Sequence, residues 1–313
     1  MKKKVVAIVG PTAVGKTALS IQIAKKCKGE IISGDSMQIY KGMDIGTAKI
    51  TASEREGIPH YMIDIKNPDE PFSVAEFQQL VHQKIDDIHG RGKLPIIVGG
   101  TGLYIQAVLY NYNFSQEKRD EALTTQLEER VQKEGIMPLY QELLVIDPVQ
   151  AKQIHPNNER RVIRALEVYK TTGMTMSEYI HKQQQLQEKT YDAYLIGLEM
   201  ERTILYERIN KRVDLMIANG LIDEVYTFYK QGFEKSQAMQ AIGYKEFIPY
   251  FKGEYDLAES IRLLKRNSRR YAKRQYTWFR NKMNVNWYPV IPGQINETSR
   301  IILADLAGFL EDK

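Results

Sequence analysis

The amino-acid sequence predicts an α/β fold, a parallel sheet flanked by helices and interrupted by an all-helical insertion. Three observations carry that reading. Short β-branched runs alternate with stretches of helical periodicity, the pattern of a βαβ layered sheet. A glycine-rich turn joins the first such run to the first helix. Between Val98 and Tyr194 lie about 95 residues, far more than an ordinary crossover needs.

Taken in order, residues 4–9 (KVVAIV) show little polar alternation and read as a strand buried on both faces. Residues 16–28 place Leu19, Ile23 and Ala24 at helical spacing. Further strands are expected over 30–33, 95–98 and 194–197, with a weaker fifth at 284–287. Residues 74–91 and 202–231 read as long helices. Inside the gap, helical patterns over 120–134, 139–145, 158–172 and 176–187 are punctuated by Gly135, Pro138, Pro148, Pro156 and Gly173. The expected organisation is a core of residues 1–111 and 191–313, with a helical insertion over 112–190.

Composition narrows the function classes. Hydrophobic residues at 43% and charged residues at 27% exclude wholesale disorder in a chain of 313 residues, about two domains' worth. No apolar run reaches the roughly 18 residues of a membrane span. The basic start, Met1-Lys2-Lys3-Lys4, leads into glycines and not a cleavage site, so a cytoplasmic protein is expected. Cys27 is the only cysteine, which excludes disulfides and a cysteine-rich zinc module. His60 and His155 have no zinc-ligand spacing around them. A net charge of +5 allows an anionic partner without requiring one. No heptad pattern argues for a dimer, and a monomer is expected.

Gly10-Pro-Thr-Ala-Val-Gly-Lys-Thr17 fits G-x-x-x-x-G-K-[ST] directly after a strand and at the opening of a helix. Gly10 and Gly15 let the backbone curl so that successive N–H groups face an anion, and the helix N-terminus adds positive potential. Lys16 can neutralise a terminal phosphate, and the Thr17 hydroxyl can join the shell of a Mg²⁺ ion. The sequence therefore predicts a P-loop NTPase-like sheet that binds a polyphosphate or pyrophosphate. Such a loop names an anion and not a reaction. Nucleotide hydrolysis or phosphoryl transfer is the default. However, residues 96–98 run into Gly99-Gly100, where many NTPases carry a magnesium-holding aspartate. A small-molecule kinase with an acid after its second strand survives that test. Here the second strand runs into Ser33-Gly-Asp-Ser36. Asp35 should then lie beside the loop, as magnesium organiser or as base, and a turn or N-cap aspartate is equally compatible.

Six blocks appear in order along the chain: GPTAVGKT (10–17), GDSMQIYKGMDIGTAK (34–49), IPHYMID (58–64), VGGTGLY (98–104), HPNNERRVIRALEVY (155–169) and YAKRQYTWFR (271–280). Together they resemble the tRNA dimethylallyltransferases. In that family the loop holds the diphosphate of dimethylallyl diphosphate, and the five-carbon group passes to N6 of the adenosine 3′-adjacent to the anticodon. The resemblance implies diphosphate binding by Gly10, Thr12, Ala13, Val14, Gly15, Lys16 and Thr17, with Arg208 neutralising the leaving diphosphate and Mg²⁺ as cofactor. It implies that Asp35 receives the N6 proton. It also implies tRNA contact by Asp35, Ser36, Met37 and Gln38, by Thr101, by Glu159, Arg160, Arg161, Val162 and Ile163, and by Gln240, Ala241, Ile242, Gly243, Tyr244 and Lys245. The partners it implies are dimethylallyl diphosphate and the anticodon stem-loop of tRNA, the latter gripped by the insertion.

Bland readings stand beside these. Arg208 could be a solvated helix charge pairing with Glu201 or Asp214, and Thr101 an ordinary helix N-cap. From Arg262 to Lys282 there are nine Lys or Arg and no acid, with Tyr271, Tyr276, Trp278 and Phe279 interleaved. Arg262, Arg266, Arg269, Lys273 and Arg280 can share one helical face for RNA backbone, leaving Ile261, Leu264, Tyr271 and Trp278 to the core. The competing functions are an adenylate isopentenyltransferase acting on free nucleotides, a small-molecule kinase and a non-catalytic RNA-binding module.

Overall fold

The structure, a computed structural model, describes residues 2–110, 112, 120–185 and 189–311. The chain forms two compact units, Met1–Tyr110 with Lys189–Lys313, and Asn111–Glu188. The first contains β1 (Lys4–Val9), α1 (Lys16–Cys27), β2 (Gly29–Ser33), β3 (His60–Tyr61), α2 (Val74–Gly90), β4 (Leu94–Gly99) and α3 (Gly102–Leu109). After the insertion it continues with β5 (Asp192–Glu199) and, further along the chain, β6 (Asn286–Pro289).

The six strands form one sheet in the order β3-β2-β4-β1-β5-β6, and every pairing is parallel. β1 lies between β4 and β5, and Val5 through Val9 have no solvent exposure. A strand covered by helices on both faces has no use for polar alternation. That is why the first run of the sequence lacks it. Loops at the carboxyl ends of β1, β2 and β4 therefore meet at one edge of the sheet, where parallel sheets gather ligands.

The structure departs from the sequence reading in several places. Residues 202–231 form two helices, α9 (Arg202–Ala218) and α10 (Leu221–Lys230). Gly220 breaks them apart with a left-handed backbone at φ 97°. β3 is two residues long and too short to leave a pattern. A one-turn α11 (Ile248–Phe251) precedes α12 (Leu257–Lys282), which starts one turn and more before the basic run because Asp256 caps it by accepting from the Glu259 N–H. The last strand, β6 (Asn286–Pro289), is displaced by two residues, and α13 (Ile295–Glu311) follows it.

The second unit holds α4 (Glu121–Glu134), α5 (Ile136–Ile146), α6 (Pro148–Gln153), α7 (Glu159–Thr172) and α8 (Met176–Gln185). Positions 186 and 187 of the helix expected over 176–187 lie outside the described residues. Caps explain the breaks: Asp120, Asp147 and Asn158 each accept a backbone N–H of the helix they open, and Gly173 closes α7 in the left-handed region. The unexpected α6 is one such capped turn, with Pro148 in its first turn. Leu127, Leu139, Leu143, Val162 and Leu166 form this unit's own core. Among the described residues no helix is long and apolar enough to cross a membrane.

One contact sets the spacing at the sheet's carboxyl edge. The Gly34 N–H donates to Val98 O at 2.8 Å, which brings the exit of β2 against the exit of β4. A Cβ on Gly99 would lie 2.3 Å from Gly34 O, against backbone that cannot swing aside. We expect Gly99→Ala to destabilise the fold by about 3 kcal/mol in urea unfolding. Gly308→Ala, on α13 where a Cβ meets nothing within 4 Å, should instead stabilise by up to about 1 kcal/mol.

Candidate active site

The phosphate loop has the geometry its sequence requires. Gly10 leaves β1 at φ 142°, Ala13 sits at φ 65° and Gly15 opens α1 at φ 111°. A Cβ on Gly10 would lie 2.8 Å from Leu198 O, so the loop can pass β5 only as glycine. No acid occupies the first turn of α1, and its positive end is left for a ligand. Lys16 Nζ donates to Gly10 O at 3.0 Å and to Pro11 O at 2.7 Å. Burial, and secondarily the nearby Arg212, push the Lys16 ammonium down to about 7, with Asp35 opposing.

Asp35 reaches the same cavity from the end of β2. The space is about 850 Å³ and is lined by Thr12, Lys16, Thr17, Asp35, Arg208 and Arg212 among others. Asp35 Oδ1 accepts the Met37 N–H at 2.8 Å, so the turn aspartate and the cavity aspartate are one residue. Burial lifts the carboxyl above its ordinary range, while the Met37 N–H and the charge of Lys16 pull it back. A carboxylate made more basic in this way is better suited to accept a proton.

Arg208 does not pair as a surface charge. Its Nε donates to Ala13 O at 2.9 Å, whereas Asp214 takes Lys265 and Glu201 caps α9 by accepting from Thr203 and Ile204. One turn on, Arg212 Nη1 approaches Thr12 Oγ1 at 3.4 Å. Burial pushes its guanidinium down from the usual value, and Asp35 partly restores it.

A second cavity of about 220 Å³ shares Thr12, Asp35, Thr47, Ala48, Arg212 and Tyr271 with the first. Ile209, Val213, Met216, Ile242 and Leu264 make much of its wall apolar, and Ser36 and Met37 also line it. The loop carrying Gly46 and Thr47 is pinned by Glu224. Its carboxylate accepts the N–H groups of Asp44, Ile45 and Gly46 at 3.0, 2.8 and 3.0 Å and also takes the Tyr244 hydroxyl.

The structure separates the expected tRNA-contacting residues into working groups. Thr101 sits at the N-cap of α3 without making a side-chain cap bond; its Oγ1 instead accepts the Ser36 N–H at 3.2 Å. Gln38 donates to Thr47 O at 3.3 Å. Glu159, Arg160 and Arg161 are exposed at the start of α7, but Val162 and Ile163 are buried in the helical core, and their side chains serve packing. Likewise Tyr244 has no exposure and packs so tightly on Gly46 that a Cβ there would lie 2.4 Å from its ring. Ala241 is buried, Ile242 and Gln240 are half-buried, and Lys245 is exposed. Gly243 turns at φ 104°.

On α12 the face toward the core is Leu264, Ala272, Gln275 and Phe279, while Ile261, Tyr271 and Trp278 are only half-buried. Several of its charges are satisfied from other elements: Lys265 by Asp214, Arg269 by Asn210 and Arg280 by Glu199. Among the described residues Arg270 and Lys273 have no carboxylate partner within 4 Å. Sequence reasoning missed Arg212, Gln275 and Glu224 as parts of the site. Arg212 had a signal, since it lies four residues after Arg208 on the same helical face. Gln275 and Glu224 had none in their spacing, because their partners lie far away in sequence.

An anion in the loop should reverse the displacement of Lys16. Free Lys16 loses its proton near pH 7, while a bound diphosphate favours the ammonium. Binding of inorganic pyrophosphate at about pH 8 should therefore take up more protons in wild type than in Lys16→Met. Calorimetry in buffers of different ionisation enthalpy measures that difference, and equal uptake by both proteins is the contrary result.

The IPP transferase family model matches residues 38–282. A tRNA dimethylallyltransferase of Oceanobacillus iheyensis is 60% identical over 313 residues, covering 100% of this chain and 99% of the relative. One from Bacillus pumilus is 57% identical over 310 residues, covering 99% and 97%. The crystal structure of the tRNA delta(2)-isopentenylpyrophosphate transferase of Staphylococcus epidermidis superposes with a TM-score of 0.72 at 51% identity, covering 98% of this chain and all of that one. A eukaryotic dimethylallyltransferase acting on tRNA gives a TM-score of 0.83 at 33% identity, covering 98% of this chain and 79% of the other. Matched along its whole length by such relatives, the chain belongs to the IPP transferase family and is a prenyl transferase.

Proposed function

We propose that the chain moves a dimethylallyl group from dimethylallyl diphosphate to N6 of the adenosine 3′-adjacent to the anticodon of tRNA, releasing diphosphate. The observation that carries this reading is the meeting of two unlike cavities at Thr12, Asp35, Arg212 and Tyr271. One is walled by a phosphate loop and cations, the other largely by apolar side chains. A polyphosphate fits the first and the face of an extruded purine fits the second, with Asp35 at their junction. The names of the relatives, tRNA dimethylallyltransferases, support the same substrates. The match to the IPP transferase family weighs against a small-molecule kinase.

In this reading the allylic C–O bond breaks with its electron pair leaving on the diphosphate. The N6 lone pair forms the new C–N bond, and the N6 proton passes to Asp35. Lys16, Arg208, Arg212 and the loop N–H groups neutralise charge as it develops on the diphosphate, an effect larger in the transition state than before it. The adenine must leave its stack to reach Asp35, at a cost of a few kcal/mol. Arg160 and Arg161 on the helical unit, with Arg270 and Lys273 on α12, are suited to holding RNA backbone.

The residues present fit a Mg²⁺ ion held mainly by the substrate. No group of three His, Cys, Asp or Glu able to hold a metal exists among the described residues, whereas the exposed Thr17 and the Asp35 carboxylate line the cavity. Such a sparse set suits a cation that takes its remaining ligands from diphosphate and water. When bound, it would add positive charge beside the leaving group.

The test is prenyl incorporation from dimethylallyl diphosphate with Mg²⁺ into unmodified tRNA or into AMP. We expect transfer to tRNA and none to AMP; the reverse outcome would make the protein an adenylate isopentenyltransferase. Asp35→Asn, which can still accept the Met37 N–H, should cut turnover on the order of 10²-fold. Its tRNA affinity should stay within about threefold of wild type. Equal loss of both would make Asp35 a docking residue.

A further inference from the structure

Gln275 lies on α12 with 5% of its surface exposed, and its amide faces two loops at once. Oε1 accepts the Thr12 N–H of the phosphate loop at 2.9 Å, and Nε2 donates to Gly100 O at 3.0 Å. A side-chain amide can accept from one backbone group and donate to another across a single plane, which a carboxylate cannot. Gly100 is shaped for this partner, since a Cβ there would lie 1.9 Å from Gln275 Nε2. One turn earlier on α12, the Tyr271 hydroxyl faces Thr101 and Gln275. Thr101 in turn receives the N–H of Ser36, the residue next to Asp35. The phosphate loop, the Gly100–Thr101 turn and the Asp35 turn thus hang from one stretch of α12.

We propose that Gln275 is a positioning residue for the transfer: it locks the phosphate loop to the Gly100–Thr101 turn and, through Thr101, sets the separation between the Asp35 carboxylate and the diphosphate. The inference rests on the prenyl-transfer reading above. By satisfying the Thr12 N–H from within the protein, Gln275 fixes the mouth of the loop before any ligand arrives. A misplacement of about 1 Å between reacting groups can cost on the order of 10²-fold in rate, so a residue that never touches substrate can govern turnover.

Two variants test this. Gln275→Met keeps the volume and removes both bonds; Gln275→Glu keeps the shape and the acceptor for Thr12 but loses the donor to Gly100. With both substrates saturating, kcat should fall by about tenfold to a hundredfold in Gln275→Met and at least about fivefold in Gln275→Glu. KM for tRNA should stay within about threefold in both. Thr101→Val should also lower kcat, and the Gln275→Met/Thr101→Val double variant should lose little more than the worse single variant, because the two act as one unit. Should Gln275→Met fail to fold by circular dichroism, Gln275→Glu alone decides. Wild-type kcat in the Glu variant, a loss confined to KM, or single losses that multiply in the double variant would each overturn the proposal. Wild-type protein run alongside separates the two readings. No transfer by wild type removes the prenyl-transfer reading and this inference with it, whereas normal transfer by wild type and variants alike removes only the role of Gln275.

Discussion

Backbone lies against backbone where β2 and β4 leave the sheet, and the chemistry of the edge follows from that approach. Gly99 has no space for any side chain because Gly34 O fills the position its Cβ would take. Gly100 has none because an amide occupies it. The end of β4 therefore cannot carry an acid toward the phosphate loop, and a carboxylate must come from β2. Asp35 is that carboxylate. The two glycines at the end of β4 are thus a packing requirement of this edge, and the acid that lines both cavities comes from the end of β2.

Around that acid the charges are held against the loss of water. Lys16 and Arg212 are driven down and Asp35 up by the same loss of water. An anion beside them favours the charged forms of Lys16 and Arg212, so binding is coupled to proton uptake at Lys16. The carbonyls of Gly10 and Pro11 keep the Lys16 ammonium in place meanwhile. Glu224 does the equivalent for the opposite wall, taking three backbone N–H groups of the loop that carries Gly46 and Thr47.

Much of this was legible in the sequence where the signal is local. Residues 4–9 announce a doubly covered strand, the glycine spacing of 10–17 announces the phosphate loop, and Gly135, Pro148, Pro156 and Gly173 mark breaks between the helices of the insertion. The single helix read over 202–231 failed because Gly220 is tolerable inside a helix by propensity alone, and only its left-handed backbone shows that it is a corner. The acid-free run on α12 looked like a wholly unbalanced face, yet Asp214 and Glu199 lie opposite it in space. Two expected RNA contacts, Val162 and Ile163, are core residues, because a matching block of sequence does not say which of its side chains point inward. Arg212 is readable once Arg208 is known, but Gln275 is not, since both its partners are main-chain atoms of distant loops.

The Thr190 N–H donates to Leu109 O at 3.1 Å, so the polypeptide departs from the sheet unit and returns to it at neighbouring points. To that unit the 78 residues Asn111–Glu188 are a detour whose two ends are tied side by side. Because closure entropy grows only with the logarithm of length, such a detour costs about 2 kcal/mol more than a ten-residue connection. The detour also has an apolar interior of its own to offset that cost. The helical unit can therefore be lengthened or exchanged at this seam while the parallel sheet keeps its register.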